Sequence, residues 1–196
     1  MIRATLMRRF AAAMLLVCAE DVAFAAEPFA ERMAPCLACH GENGQSENPE
    51  VPSLGGQPAP YLLIQLYLFR EKQRVIEIMN DVTRDFTDDD LRTFSDFLAK
   101  QPPPKAPNDA PPDAARLERG RVLITQNRCN ACHNLDLAGR ESIPHIANQG
   151  ETYLVKTMRE YKNNTRHGYD PAMASVLASV TDAEILDLAY TIARFR

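Results

Sequence analysis

Two short stretches carry the residue types that could do chemistry, and both have the order Cys-x-x-Cys-His. They read CLACH at residues 36–40 and CNACH at residues 129–133. Two cysteines three positions apart with a histidine directly after them can contribute to a zinc site, a redox-active dithiol, a structural disulfide or a covalent haem attachment. The choice among these four decides what the protein does.

The residue types favour covalent haem attachment. A closed zinc site needs four ligands, and each half of the chain offers only two cysteines and one adjacent histidine. A thioredoxin-type dithiol usually lies beside a strand–helix unit, which the sequence does not predict here, and a disulfide leaves the histidine unexplained. In a haem site the cysteines bind the two vinyl groups and the histidine ligates the iron. The predicted attachment residues are Cys36, Cys39, Cys129 and Cys132, and the predicted axial ligands beside them are His40 and His133.

The two motifs belong to an internal duplication. The residues after the first motif recur after the second with the same internal spacing. Pro52, Leu54, Gln57, Tyr61 and Leu62 match Pro144, Ile146, Gln149, Tyr153 and Leu154. In both halves a methionine also stands eight residues before a threonine followed by an acidic residue three positions on, a pattern typical of a helix N-cap. So many matched positions indicate two copies of one unit.

The matched methionines are the predicted sixth ligands of the two irons. Met79 and Met173 hold equivalent places, and a thioether is a soft, neutral ligand that raises the potential of a haem. Packing is the alternative role for both. Met158 is predicted to lie in the core, and Met33 is too near the first motif to reach across a ring. His145 and His167 are predicted to be surface or loop residues.

Other matched residues are predicted to support the ligands. The carbonyl of Pro52 or Pro144 could accept a hydrogen bond from the ligand histidine and fix its orientation. Tyr61 and Tyr153 are candidates to donate to a haem propionate, to pack on the ring, or simply to fill the core. Arg70 and Arg74 are candidates to pair with propionates, with solvated helix arginines as the alternative.

These elements predict an all-α fold of two tandem domains. Apolar residues recur at helical spacing over 88–100 and 182–195, and no segment shows sustained strand alternation. The segment 101–113 holds six prolines and is predicted to be an extended linker between domains at 27–100 and 114–196. Residues 1–26 have a basic start, an apolar run and a small-residue end, which predicts a cleaved signal peptide and an exported protein.

Charge excludes one class of function and separates the two halves. The formal net charge of the chain is −4, which argues against a nucleic-acid partner. Residues 27–100 carry 7 basic and 13 acidic side chains, whereas residues 114–196 carry 11 and 9. An acidic half is therefore joined to a slightly basic one. No stretch after the leader is long and apolar enough to span a membrane.

The stretches CLACHGENG and PSLGGQPAPYLLIQL, together with Met79 and the closing helix, resemble a class I cytochrome c domain, and the duplicated chain resembles the dihaem cytochromes of the cytochrome c4 type. The resemblance implies two cytochrome c domains packed face to face with pseudo-twofold symmetry. It also implies two covalently bound haem c groups with His/Met ligation. One departure stands out, because CHNLDLAG lacks the glycine that follows the histidine in CHGENG.

The leading hypothesis is a periplasmic electron carrier and not an enzyme. It would be soluble or loosely membrane-associated and would exchange single electrons with redox proteins such as a quinol-oxidising complex, a dehydrogenase or a terminal oxidase. A second hypothesis is the cytochrome subunit of a periplasmic dehydrogenase complex. A third is an enzyme in its own right, such as a dihaem peroxidase or a thiosulfate dehydrogenase, which would require one haem without methionine ligation.

Overall fold

The structure is a computed structural model that describes residues 28–107, 111–166 and 171–196. The predicted signal peptide and His167 lie outside these ranges. The described residues form helices and loops, with one isolated β-bridge between Arg140 and Ile143. The helices are α1 Phe29–His40, α2 Ala59–Arg70, α3 Glu77–Thr83, α4 Asp88–Ala99, α5 Ala114–Gln126, α6 Cys129–His133, α7 Glu151–Lys162, α8 Ala172–Leu177 and α9 Asp182–Ala193.

Helices α1, α2 and α4 enclose a small core that is rich in aromatic side chains. Met33 of α1, Leu62 of α2 and Phe94 and Leu98 of α4 are buried together. The Phe29 ring contacts Phe94, with the ring centroids 5.8 Å apart. Apolar side chains of α1 and α4 therefore close this core from two sides.

Helices α5 to α9 form a second core with more aliphatic side chains. It includes Leu123 of α5, Leu154 and Met158 of α7, and Ile185 and Leu188 of α9. The core position predicted for Met158 is confirmed. Helices α5 and α9 cross in close contact, with Gly120 of α5 against Thr191 of α9.

The closing helix of each half begins at the predicted threonine. Thr87 and Thr181 each accept a hydrogen bond from the backbone N–H three residues on, and Asp90 and Glu184 bond back to the threonine N–H. Both capping boxes are thus confirmed. Each of them satisfies two N–H groups that a helix start leaves unpaired. The helices end at Ala99 and Ala193, slightly before the predicted ends.

The first residues of the proline-rich segment 101–113 pack against the first half. The carbonyl of Pro102 approaches Gly55, and the Pro103 ring lies against Gly56, so closely that a Cβ at either glycine would clash. At its far end the Asp113 side chain caps α5, and the Asp113 N–H donates to the Tyr190 hydroxyl at 2.7 Å. Both ends of the segment are therefore held by the domains that it joins.

The two halves meet through equivalent loops. The Gln57 side chain bonds to the backbone of His145, and the Gln149 side chain bonds to the backbone of Ser53. These pairs exchange places under a pseudo-twofold rotation, as the resemblance implies. Within the residues that the structure describes, no helix combines the length and apolarity needed to cross a bilayer.

Candidate functional site

The four motif cysteines lie at corresponding places, beside the histidines that end α1 and α6. Cys36 and Cys129 are half-buried, Cys39 and Cys132 are exposed, and all four are free thiols. Burial, the largest effect, raises the pKa of both Cys36 and Cys129. Neither pair is joined by a disulfide, and each pair is spaced to bind two points on one group.

The two histidines are buried and held in the same way. The Nδ1–H of His40 donates to the Pro52 carbonyl at 2.8 Å, and that of His133 donates to the Pro144 carbonyl at 2.8 Å. These are the carbonyls that the sequence predicts as acceptors. Burial outweighs this bond and lowers the pKa of both histidines. Each ring is therefore neutral at pH 7, with its Nε2 lone pair available to a metal ion.

Met79 and Met173 lie on short helices that pack against α2 and α7 respectively. Both side chains are half-buried. Met173 packs against the second core, and the Met79 carbonyl accepts a hydrogen bond from the Thr83 hydroxyl. Their assignment as iron ligands stays a prediction.

Two arginines and two tyrosines gather where the halves meet. Arg74 and Arg166 are 8% and 6% exposed, although each carries a full positive charge. Each stands 13 residues after the matched tyrosine, Tyr61 or Tyr153. Arg74 donates to the Gln65 side chain at 2.7 Å, and Arg166 donates to the Tyr153 hydroxyl at 3.3 Å.

The positive charges of Arg74 and Arg166 change the pKa of the tyrosine beside them. Burial disfavours ionisation of Tyr153, but Arg166 and Arg74 outweigh burial and lower its pKa to about 7. For Tyr61, burial and the neighbouring Tyr153 outweigh the two arginines and raise its pKa to about 12. Among the described residues, no carboxylate lies within ion-pair distance of Arg74 or Arg166. Two buried guanidinium groups that have no carboxylate partner among these residues indicate a site for an acidic group.

The structure separates Arg70 from Arg74 and adds a third arginine, Arg166. Arg70 is no candidate for this site, because it pairs with Glu71 and Asp88 at the end of α2. Arg74 lies beyond α2 and is buried, so it is not a solvated helix arginine. Sequence reasoning missed Arg166. The signal was available, since Arg74 and Arg166 repeat at the same distance after the matched tyrosines.

The missing glycine of the second motif is replaced by a strained asparagine. Gly41 has φ 85° and ψ 156°, and Asn134, directly after His133, has φ 68° and ψ 167°. The Asn134 side chain donates to the Gly139 carbonyl at 2.7 Å. The chain therefore leaves both histidines in the same direction, with a side-chain hydrogen bond holding the turn that glycine would adopt without strain.

These side chains fit a covalently bound haem in each half. Free cysteine pairs can form the thioethers, the neutral imidazoles can face an iron, and the buried arginines supply positive charge for propionates. The haem would add a large apolar group to each small core, which for domains of this size is a major source of stability.

Comparison with known proteins supports the same cofactor. The cytochrome c family model matches residues 117–191. The chain is 30% identical over 162 residues to cytochrome c4 of Thiocapsa roseopersicina, covering 76% of this chain and 81% of that protein. It is 34% identical over 73 residues to a protein of Stutzerimonas stutzeri called thiosulfate dehydrogenase electron acceptor, covering 35% of this chain and 34% of that protein.

The fold has a solved counterpart as well. Reduced recombinant cytochrome c4 from Pseudomonas stutzeri matches 85% of this chain and 96% of its own, with a TM-score of 0.76 and 24% identity. The two-domain helical fold is thereby confirmed. Together with the paired cysteine motifs, the sequence relatives establish two covalently attached haem c groups. The chain belongs to the cytochrome c4 family, whose members are dihaem cytochromes c that carry electrons.

Proposed function

We propose that this protein is a periplasmic electron shuttle in which each haem iron is ligated by one histidine and one methionine. The observation that carries the proposal is the pair of buried, neutral histidines, each with Nδ1 engaged and Nε2 free. His40 would act with Met79, and His133 with Met173. Held by these four side chains, neither iron would offer a binding site to a substrate, and transfer of single electrons would be the remaining chemistry.

Haem c would supply the redox centre, and the chain would supply its environment. Cys36 and Cys39, or Cys129 and Cys132, would hold the group, and the proline carbonyls would orient the histidines. The buried Arg74 and Arg166 would neutralise propionates. The proposed domains are 27–100 and 114–196, joined by 101–113, with residues 1–26 removed on export.

The different charges of the halves support separate docking of two redox partners. The acidic first domain suits a partner with a basic surface, and the second domain suits a neutral or acidic one. Electrons would enter through one haem and leave through the other, toward a partner such as a terminal oxidase. Association rates with the partner of the first domain should fall as ionic strength rises.

A spectroscopic titration tests the ligation. The oxidised holoprotein should contain two haems per chain and show the charge-transfer band of methionine-ligated ferric haem. We expect Met79→Ala and Met173→Ala each to remove about half of this band, and the double variant to remove it all. Met33→Leu and Met158→Leu, which alter buried core methionines, are the matched controls. An unchanged band in either single variant would contradict that methionine as ligand.

The location and the partner need separate measurements. N-terminal sequencing of the exported protein should begin near residue 26 or 27, whereas an intact leader in the cytoplasmic fraction would contradict export. The second candidate is a cytochrome subunit of a dehydrogenase complex, which the relative named as a thiosulfate dehydrogenase electron acceptor favours. Co-purification with a larger subunit at high salt would support the subunit; a free monomer would support the shuttle.

The enzyme alternatives predict a different spectrum. A dihaem peroxidase or a thiosulfate dehydrogenase would have one haem without methionine ligation, so its wild-type band would be halved. A full band and no turnover of hydrogen peroxide or thiosulfate would leave electron carriage as the function.

A further inference from the structure

The contact between the two halves includes two glutamine side chains that are almost completely buried. Gln57 is 3% exposed and Gln149 is 4% exposed. They are equivalent residues of the duplication, and each reaches into the other half. A buried primary amide is costly unless both its oxygen and its nitrogen are bonded, so the contacts of these two side chains are specific.

Each glutamine holds one residue of the opposite half at two points. The Ser53 N–H donates to Gln149 Oε1 at 2.9 Å, and Gln149 Nε2 donates to the Ser53 carbonyl at 2.9 Å. The His145 N–H donates to Gln57 Oε1 at 3.0 Å, and Gln57 Nε2 donates to the His145 carbonyl at 2.7 Å. All four bonds join residues about 90 positions apart in the chain.

The clamped N–H groups belong to the peptide units that hold the ligand histidines. The Ser53 N–H and the Pro52 carbonyl are two ends of one peptide group, and the Pro52 carbonyl accepts from His40 Nδ1. The His145 N–H and the Pro144 carbonyl are related in the same way to His133. A continuous chain of hydrogen bonds therefore runs from each imidazole, through one planar peptide, to the glutamine of the other half.

We propose that Gln149 is a positioning residue for His40 and that Gln57 is a positioning residue for His133, so that each domain tunes the haem of the other. A bond accepted from the peptide N–H makes the carbonyl at the other end of that peptide a better acceptor, because hydrogen bonds in a chain polarise one another. The carbonyl then holds the histidine Nδ1–H more strongly, which makes the imidazole a more basic ligand.

The direction of the effect follows from ligand basicity. A more basic imidazole stabilises ferric iron more than ferrous iron, so the glutamine lowers the tendency of the distant haem to accept an electron. Removing the glutamine should make that haem easier to reduce. The effect is crossed, and disruption of the glutamine's own domain would not produce a crossed effect. The inference rests on the histidine ligation given under the proposed function, and it is independent of the sixth ligand.

The test uses the full-length holoprotein and the near-isosteric variants Gln149→Met and Gln57→Met. Each haem is reduced by one electron in a titration with dithionite. The Nδ1–H resonance of its ligand histidine is then followed by NMR in the reduced state. In Gln149→Met we expect Nδ1–H of His40 to exchange with solvent about tenfold faster. The reduction equilibrium of the haem in the first half should shift about threefold, or roughly 28 mV at 59 mV per tenfold for one electron. Gln57→Met should give the same changes at His133 and the second haem.

A milder pair, Gln149→Asn and Gln57→Asn, shortens the side chain and breaks the two-point contact while keeping an amide, and it should show the same crossed pattern. Gln101→Met is the matched control, because the Gln101 side chain donates to Phe97 within the first half. It should leave both haems unchanged.

The outcomes separate cleanly. Shifts at the opposite haem only, in both variants, support the proposal. Shifts confined to the haem of the mutated domain, equal shifts at both haems, or wild-type values in Gln149→Met would each overturn it. The charge-transfer band of the wild type reports on the methionine ligands alone, so failure of the proposed ligation would be seen separately from failure of the glutamine role.

Discussion

Gly120 on α5 lies so close to Thr191 on α9 that a Cβ at position 120 would fall 2.0 Å from the Thr191 hydroxyl oxygen and 2.6 Å from the Asp187 carbonyl. Two helix backbones meet at this point because residue 120 has no side chain. The crossing joins the first and last helices of the second half and carries much of its core.

A methyl group at this crossing should push the helices apart. We expect Gly120→Ala to lower the free energy of unfolding of the holoprotein by about 2 kcal/mol, since overpacking typically costs 1–3 kcal/mol and exceeds the gain in helix propensity. Urea denaturation followed by circular dichroism measures this change. Arg121→Ala, at an exposed position on the same helix, should change it by no more than about 0.5 kcal/mol. Equal stability of Gly120→Ala and wild type would contradict the close crossing.

The strained asparagine of the second motif offers a stabilising substitution. A backbone near φ 68°, ψ 167° costs a non-glycine residue about 1–3 kcal/mol, whereas the hydrogen bond from Asn134 to Gly139 returns about 1 kcal/mol. We expect Asn134→Gly to raise the free energy of unfolding by about 1 kcal/mol and Asn134→Ala to lower it. Gly41→Ala should lower the free energy of unfolding more than Asn134→Ala does, because its Cβ would fall 1.9 Å from the Gln45 carbonyl. A less stable Asn134→Gly protein would mean that the side-chain bond outweighs the strain.

The Asp90 carboxylate gives the protein a stability that depends on pH. Burial alone would raise its pKa, but the Thr87 N–H and the Arg32 guanidinium outweigh burial and hold the pKa below its usual value. A depressed folded-state pKa means that the contribution is present above the unfolded pKa of about 3.9 and is lost as pH falls through the folded value.

Asp90→Asn should therefore lower the free energy of unfolding by about 1 kcal/mol at pH 7, the usual size for a helix cap. The difference from wild type should shrink below about pH 4, the unfolded-state value for aspartate. Thermal unfolding measured between pH 3 and 7 would test both statements. Glu184→Gln alters the matched carboxylate of the second capping box. The hydrogen bonds from Thr181 lower the pKa of Glu184 most, and Lys162 lowers it less. Among the described residues no arginine pairs with Glu184 as Arg32 pairs with Asp90, so this variant should show a smaller fall. A constant difference across the pH range would argue against a role for the charge.

The buried arginines should raise the potential of the haems. Two unit charges about 10 Å apart interact by roughly 1–2 kcal/mol at an effective dielectric constant near 20, so a guanidinium that pairs with a propionate would change the reduction equilibrium of that haem by about tenfold. Arg74→Gln and Arg166→Gln should each make reduction less favourable by about this factor, measured by potentiometric titration. Arg92→Gln, on the exposed face of α4, removes the same charge at the surface and should have little effect. Equal shifts in all three variants would indicate only a change in net charge.

Local patterns carried a large part of the fold and the candidate site. The capping boxes at Thr87 and Thr181 depend on residues three positions apart, so the sequence contains everything needed to predict them. The carbonyls of Pro52 and Pro144 could be assigned as histidine partners because the duplication repeats a short loop. The burial of Arg166 was missed because its side chain folds back onto Tyr153, Thr157 and Tyr161 of α7 from the loop after that helix. Only the repeated spacing after Tyr153 indicated its role.

The sequence by itself determined the cofactor, the duplication and the two Cys-x-x-Cys-His motifs, because thioether chemistry and helix capping act over a few residues. Only the tertiary structure decided that the Gln57 and Gln149 side chains each form hydrogen bonds to the opposite half, that α5 and α9 meet at Gly120, and that two arginines lie buried near the same tyrosine. Those contacts join residues about 70 to 100 positions apart, and their pairing depends on the docking of whole helices and domains, which local spacing does not encode.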